Sequence, residues 1–173
     1  ASASPRPAEC TLGSAASRPW SLARRPGLAA YCGLLARGYA RLERSPLLAL
    51  ALAEDAERAL PRRAAPQVLA GRALAALGRH GDAYARFERA RALQPRSVDE
   101  PSALHDYAVS AQKTGHDDAA RALYRSLVAR AGLIEDASDR QRAYVEAAFS
   151  VMNEGASALP EAVGFLSEAR RRG

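Results

Sequence analysis

Ala49, Ala53, Ala56 and Pro61 recur 34 residues later as Ala83, Phe87, Ala90 and Pro95. Gly78, Ala83, Phe87 and Ala90 then return after 37 residues as Gly115, Ala120, Tyr124 and Leu127, and a weaker step of 42 carries Ala120, Tyr124 and Leu127 to Ala162, Leu166 and Ala169. Self-similarity at a period of this size marks an array in which each unit is one supersecondary motif that buries its apolar face by stacking on its neighbours. Within a unit the recurring positions lie three or four apart, the period of a helix and not of a strand. The extra length of the last step falls around residues 135–139 and 155–160, where loops absorb it.

Composition supports the helical reading. The chain has 41 Ala and 21 Leu among 173 residues, whereas Val, Ile and Thr together number ten. Ala and Leu are strong helix formers and β-branched residues are what strands favour, so the expected class is all-α. Aromatic residues make up only 6%, so helices must approach closely over alanine surfaces. Residues 1–27 hold Pro5, Pro7, Pro19, Pro26, Gly13, Gly27 and several Ser, which predicts an extended leader, with Trp20 anchoring it to the folded body. Over 28–173 the turn and proline signals predict eight helices in four antiparallel pairs: 28–43, 46–60, 64–77, 80–94, 101–114, 117–131, 139–154 and 159–172. Ser45 followed by Pro46 reads as a helix start, and Ser97 with Glu100 and Ser138 with Gln141 stand at capping-box spacing.

Residues 64–95 carry Gly71, Gly78, Ala83, Phe87, Ala90 and Pro95 at the offsets of a 34-residue pattern: a small residue in the first helix, Gly in the turn, then Ala, an aromatic, Ala and Pro. This stretch resembles the tetratricopeptide repeat (TPR) family. Where that family has Trp, Leu and Tyr in the first helix, this chain has Gln67, Ala70 and Leu74. Tyr107, Ala108, Ala120 and Tyr124 make a fair second match; Phe149, Ser150, Ala162, Leu166 and Ala169 make a degenerate one. The stretch 30–61 fits mainly in its second helix, so the resemblance covers about residues 30–172. It implies a right-handed α-solenoid of about four helix pairs, with the first helices lining a concave groove. Carried onto this chain, the groove holds Arg41, Arg72, His105, Gln112, Lys113 and Tyr144 as the partner-binding residues, beside Leu34, Val68, Ala75, Val109, Ala147, Val151 and Glu154. Grooves of the family that clamp a C-terminal carboxylate use Lys, Asn and Arg; the matching Val68, Arg72, His105 and Val109 do not support such a clamp. Without a polar capping helix after Arg172, more chain, a partner or self-association is expected at the C-terminal repeat.

Charge divides along the chain: +5 over residues 1–45, +4 over 46–97 and −3 over 98–173. The longest apolar run, 46–53, falls far short of a bilayer span, so no transmembrane segment is expected. The sequence opens on Ala-Ser-Ala-Ser-Pro-Arg-Pro without Met, the appearance either of a chain cleaved at small residues on export or of one trimmed at its start. The expected location is therefore periplasmic or exported, with the cytoplasm as the alternative. Cys10 and Cys32 are either bridged, tying leader to first helix, or two separate reduced thiols. No second Cys/His pair stands at metal-ligand spacing, no Gly-rich phosphate loop occurs, and His80 and His116 sit in equivalent turns. Asp117, Asp118, Glu135 and Asp136 read as helix-start acids. The expectation is a non-enzymatic interaction module without cofactor or metal, docking a peptide segment or neighbouring subunit in a bacterial cell-envelope complex. The alternative is an anion-binding module in which Arg24, Arg25, Arg37, Arg41 and Arg44 contact nucleic acid or acidic lipid.

Overall fold

The computed structural model describes Cys10 and residues 26–172. Trp20, most of the expected leader, and Arg24 and Arg25 lie outside the described residues. Every regular element among the described residues is helical: α1 (Pro26–Arg41), α2 (Pro46–Ala59), α3 (Ala64–Ala76), α4 (His80–Leu93), α5 (Pro101–Lys113), α6 (Asp117–Ala129), α7 (Ala137–Met152) and α8 (Leu159–Arg172). Short 3-10 turns follow α4 (Pro95–Val98), follow α6 (Ala131–Leu133) and precede α8 (Ala156–Ala158). The helices pack as adjacent pairs, α1 on α2, α3 on α4, α5 on α6 and α7 on α8. The helical region divides into two compact units, Ala1–Val98 and Asp99–Gly173.

In the first unit the pairs cross over small residues. Ala49, Ala53 and Ala56 of α2 and Ala83, Phe87 and Ala90 of α4 are all buried to 1% exposure or less, as their 34-residue recurrence requires. A Cβ on Gly71 would stand 3.0 Å from the Phe87 ring, so only glycine leaves room for that aromatic, whose full burial stabilises by about 2–3 kcal/mol. In α1 the corresponding close approach is at Gly38, whose Cβ would meet Leu69 and Leu52. It stands 33 residues before Gly71, not 34, and so falls one residue outside the register that relates α2 to α4.

The second unit repeats the plan with alanine at the crossings. In the α5–α6 pair Ala108 and Ala120 are buried to 0% and 1% exposure, and Tyr107 and Tyr124 are buried too. Ala148, Val151, Ala158 and Ala162 form the α7–α8 core with Phe165 against it, and α6 packs on α7. Gly78 and Gly115 take φ of +74° and +76°, the left-handed conformation that lets a helix stop abruptly. In each case the following residue closes the turn by donating back into the helix, Arg79 N–H to Leu74 O and His116 N–H to Ala111 O, both at 2.9 Å.

Two helix starts differ from the capping boxes expected from sequence. Ser97 lies in the 3-10 turn, and the α5 cap is Glu100, whose carboxylate accepts from the backbone N–H of Ser102 (3.2 Å) and Ala103 (3.0 Å). Pro101 at the first helical position fixes the start there and makes the residue before it the cap. At α7 the cap is Asp136, which accepts from the Asp139 N–H at 2.9 Å and holds the Ser138 hydroxyl at 2.6 Å. Ser138 is thereby placed inside the helix. Ser45 does precede α2, with Pro46 at the first position, but its hydroxyl makes no capping bond.

Candidate functional site

The six side chains expected to meet a partner belong to separate units: Arg41 and Arg72 to the first, His105, Gln112, Lys113 and Tyr144 to the second. In the second unit, His105, Val109 and Gln112 fall at i, i+4 and i+7, one stripe of α5. Val109 and His105 are half-buried, while Gln112 and Lys113 are exposed in the last turn. The His105 Nε2–H donates to Glu146 Oε2 of α7 at 2.7 Å, and Nδ1 faces Asp106 Oδ1 at 3.7 Å. Asp106 and Glu146 raise the imidazole pKa to about 9, overcoming the burial that would lower it. A ring held cationic between two carboxylates cannot serve as a general base at neutral pH; it works as a tie between the first helices of consecutive hairpins.

Gln112 is partly engaged as well, its Oε1 accepting from the Tyr124 hydroxyl at 3.3 Å. Burial, followed by the charge of Glu146, pushes the Tyr124 phenol upward, so it stays protonated and available as a donor. Tyr144 is not part of an open face. At 5% exposure it packs with Ala131 and Ala169, against Val128, Ile134, Val145 and Phe165. Ala147 and Val151, expected on the same groove, are likewise buried, and so is Val68 in α3. The reason is the width of the buried stripe: α7 packs on both α6 and α8 and buries Ala143, Tyr144, Ala147, Ala148, Ser150 and Val151.

In the first unit Arg41 ends α1 fully exposed, and Arg72 is half-buried and engaged in α3. The arginines of the second helices are committed to carboxylates. Arg86 donates to Glu57 and to the buried Gln67, each at 3.0 Å, and Arg89 reaches Glu57 at 3.5 Å. In the other unit Arg125 bridges Glu154 (3.0 Å) and Glu161 (2.8 Å), and Arg121 meets Glu154 at 2.9 Å. By contrast the side chains of Arg37, Arg41 and Arg44 carry no hydrogen bond or ion pair among the described residues. Glu146 and the Arg125 cluster escaped the sequence reading because partners 29 to 41 residues apart leave no local pattern.

Cys10 and Cys32 are joined in a disulfide that closes a separation of 22 residues onto α1. Among the described residues no group of three or more His, Cys, Asp or Glu side chains is arranged to hold a metal ion. None of the described helices is long and apolar enough to cross a membrane. Compared with known proteins, the sequence matches no protein-family model and no curated protein.

Proposed function

We propose that this protein is an interaction module, a TPR-like right-handed α-solenoid that docks a peptide segment or a neighbouring subunit on its first helices and holds an assembly together. The observation carrying this reading is the division of labour within each pair. Small residues at the crossings, Gly71 with Ala83 and Ala108 with Ala120, do the packing, while the first helix α5 keeps His105, Gln112 and Lys113 at least partly open to solvent. The polar stripe, with Gln112 and Lys113 exposed at its end, suits a segment bearing carboxylates or backbone carbonyls. A disulfide between Cys10 and Cys32 persists in an oxidising compartment, which supports export and a role in a bacterial cell-envelope complex.

Co-purification from the source cells, with wild type and with His105→Ala/Gln112→Ala/Lys113→Ala side by side, tests the reading. A partner identified by mass spectrometry should be retained at about 0.5 M salt by wild type and lost with the triple variant. Retention by both removes α5 from the binding face. Arg37, Arg41 and Arg44, whose side chains meet no carboxylate among the described residues, favour a second reading, an anion-binding module for nucleic acid or acidic lipid; its mark is binding that disappears at that salt concentration.

A further inference from the structure

The end of the first unit that carries the α1–α2 turn combines spare cations with exposed leucines. Over residues 26–97 twelve Arg stand against six Asp and Glu, and five of those six carboxylates are paired with arginines from residue 58 onward. The sixth, Glu43, is the one acid between residues 26 and 53, a stretch that holds Arg37, Arg41 and Arg44 and so carries a net +2. Arg37 and Arg41 lie one turn apart on α1 and Arg44 follows in the connection, all three exposed with side chains that meet no carboxylate among the described residues.

The turn itself brings leucines beside them. Arg41 O accepts from the N–H of Arg44 at 3.2 Å and of Ser45 at 2.8 Å, so the chain reverses at once into Pro46 and α2. Leu47 and Leu48, within four residues of Arg44, are 67% and 45% exposed. A first helical turn favours acids, yet that of α2 has none. Both neighbours of α2 are already in place, α1 on one side and α3 on the other, so the exposure of these leucines does not come from a missing helix in the stack. They stand at a hairpin end. Because α1 and α3 are also in contact, and connections of three or four residues make packed neighbours antiparallel, the α3–α4 turn lies at the same end. There Leu77 is 36% exposed, and Arg79 is held by Asp82 at 2.8 Å.

We infer that this end of the first unit docks on the surface of an anionic lipid bilayer, with Leu47, Leu48 and Leu77 entering the interfacial layer and Arg37, Arg41 and Arg44 on the lipid phosphates. The inference rests on the anion-binding reading of these arginines and narrows it to lipid; it is independent of the α5 surface. A nucleic-acid backbone would engage the arginines and leave the leucines in water. A bilayer takes both, since leucine gains by leaving water while a guanidinium pairs with phosphate and lays its stem along apolar surface. Each arginine brought to an anionic surface strengthens binding by about fivefold.

Cosedimentation at about 0.1 M salt with vesicles of phosphatidylglycerol and phosphatidylcholine, against vesicles of phosphatidylcholine alone, tests the inference, with binding to a short DNA duplex measured in parallel. Wild type should sediment with the anionic vesicles and stay in solution with the neutral ones. Arg37→Gln/Arg41→Gln/Arg44→Gln should weaken vesicle binding by at least about tenfold. Leu47→Gln/Leu48→Gln, which keeps every charge, should also weaken it by about tenfold. Arg62→Gln/Arg63→Gln, exposed beyond the other end of α2, should bind like wild type, and circular dichroism should show unchanged helicity in all three variants. A leucine variant that binds vesicles like wild type overturns the inference, and so does equal loss from the Arg62/Arg63 variant. A wild type that binds the duplex but not the vesicles overturns lipid docking and leaves the anion-binding reading standing, whereas one that binds neither overturns both.

Discussion

The imidazole of His105 meets the carboxylate of Glu146 at 2.7 Å, joining α5 to α7 across 41 residues of chain. With Asp106 beside it, the ring's pKa rises from 6.5 to about 9 on folding. The folded state binds this proton more tightly than the unfolded state, so the contribution is complete below about pH 6.5 and is lost as pH climbs through about 9. Both side chains are about 30% exposed, and solvent screening holds the value to about 1–2 kcal/mol. Urea midpoints between pH 6 and 10 should therefore fall more steeply for wild type than for Glu146→Gln. Equal slopes would mean that the pair contributes nothing.

Two glycines on first helices should respond to alanine with opposite signs. At Gly71 the new methyl would press on the buried Phe87 ring at 3.0–3.1 Å and cost about 1–2 kcal/mol. At Gly33, inside α1 and facing open space, it relieves the entropy penalty of glycine and stabilises by about 0.5–1 kcal/mol. Thermal melts of the two variants decide this, and a shift of the same sign in both would contradict the described packing. Ala83→Leu, at a position with 0% exposure, should likewise cost about 1–3 kcal/mol through overpacking.

The α5 cap can be tested by separating the two candidate residues. Glu100→Ala removes the acceptor for two backbone N–H groups and should cost about 1 kcal/mol. Ser97→Ala, in the preceding 3-10 turn, should change stability by less than about 0.5 kcal/mol. The reverse order in denaturant titrations would restore the capping box read from sequence.

The disulfide makes a prediction that does not require an identified partner. Native protein treated with an alkylating agent before reduction should show no added mass at Cys10 or Cys32, and reduction should then lower stability by about 2–4 kcal/mol. Two alkylated thiols in unreduced material would remove both the bridge and its support for export.

Helix positions were legible in the sequence to within two residues at every boundary, because prolines, turn glycines and the three-to-four spacing of Ala and Leu are local properties. The burial of Ala83 and Ala120 was expected from the close-contact positions they occupy in the resemblance to the repeat pattern, and both are buried. Tertiary structure decided what depends on distant partners. It placed Gly38 at the first crossing, one residue off the 34-residue register, buried Tyr144 because two helices enclose α7, and turned His105 from an open groove residue into a tie to Glu146. Helical period identifies the face a residue occupies. Whether that face meets water, a core or a carboxylate 41 residues away is set only when the hairpins stack.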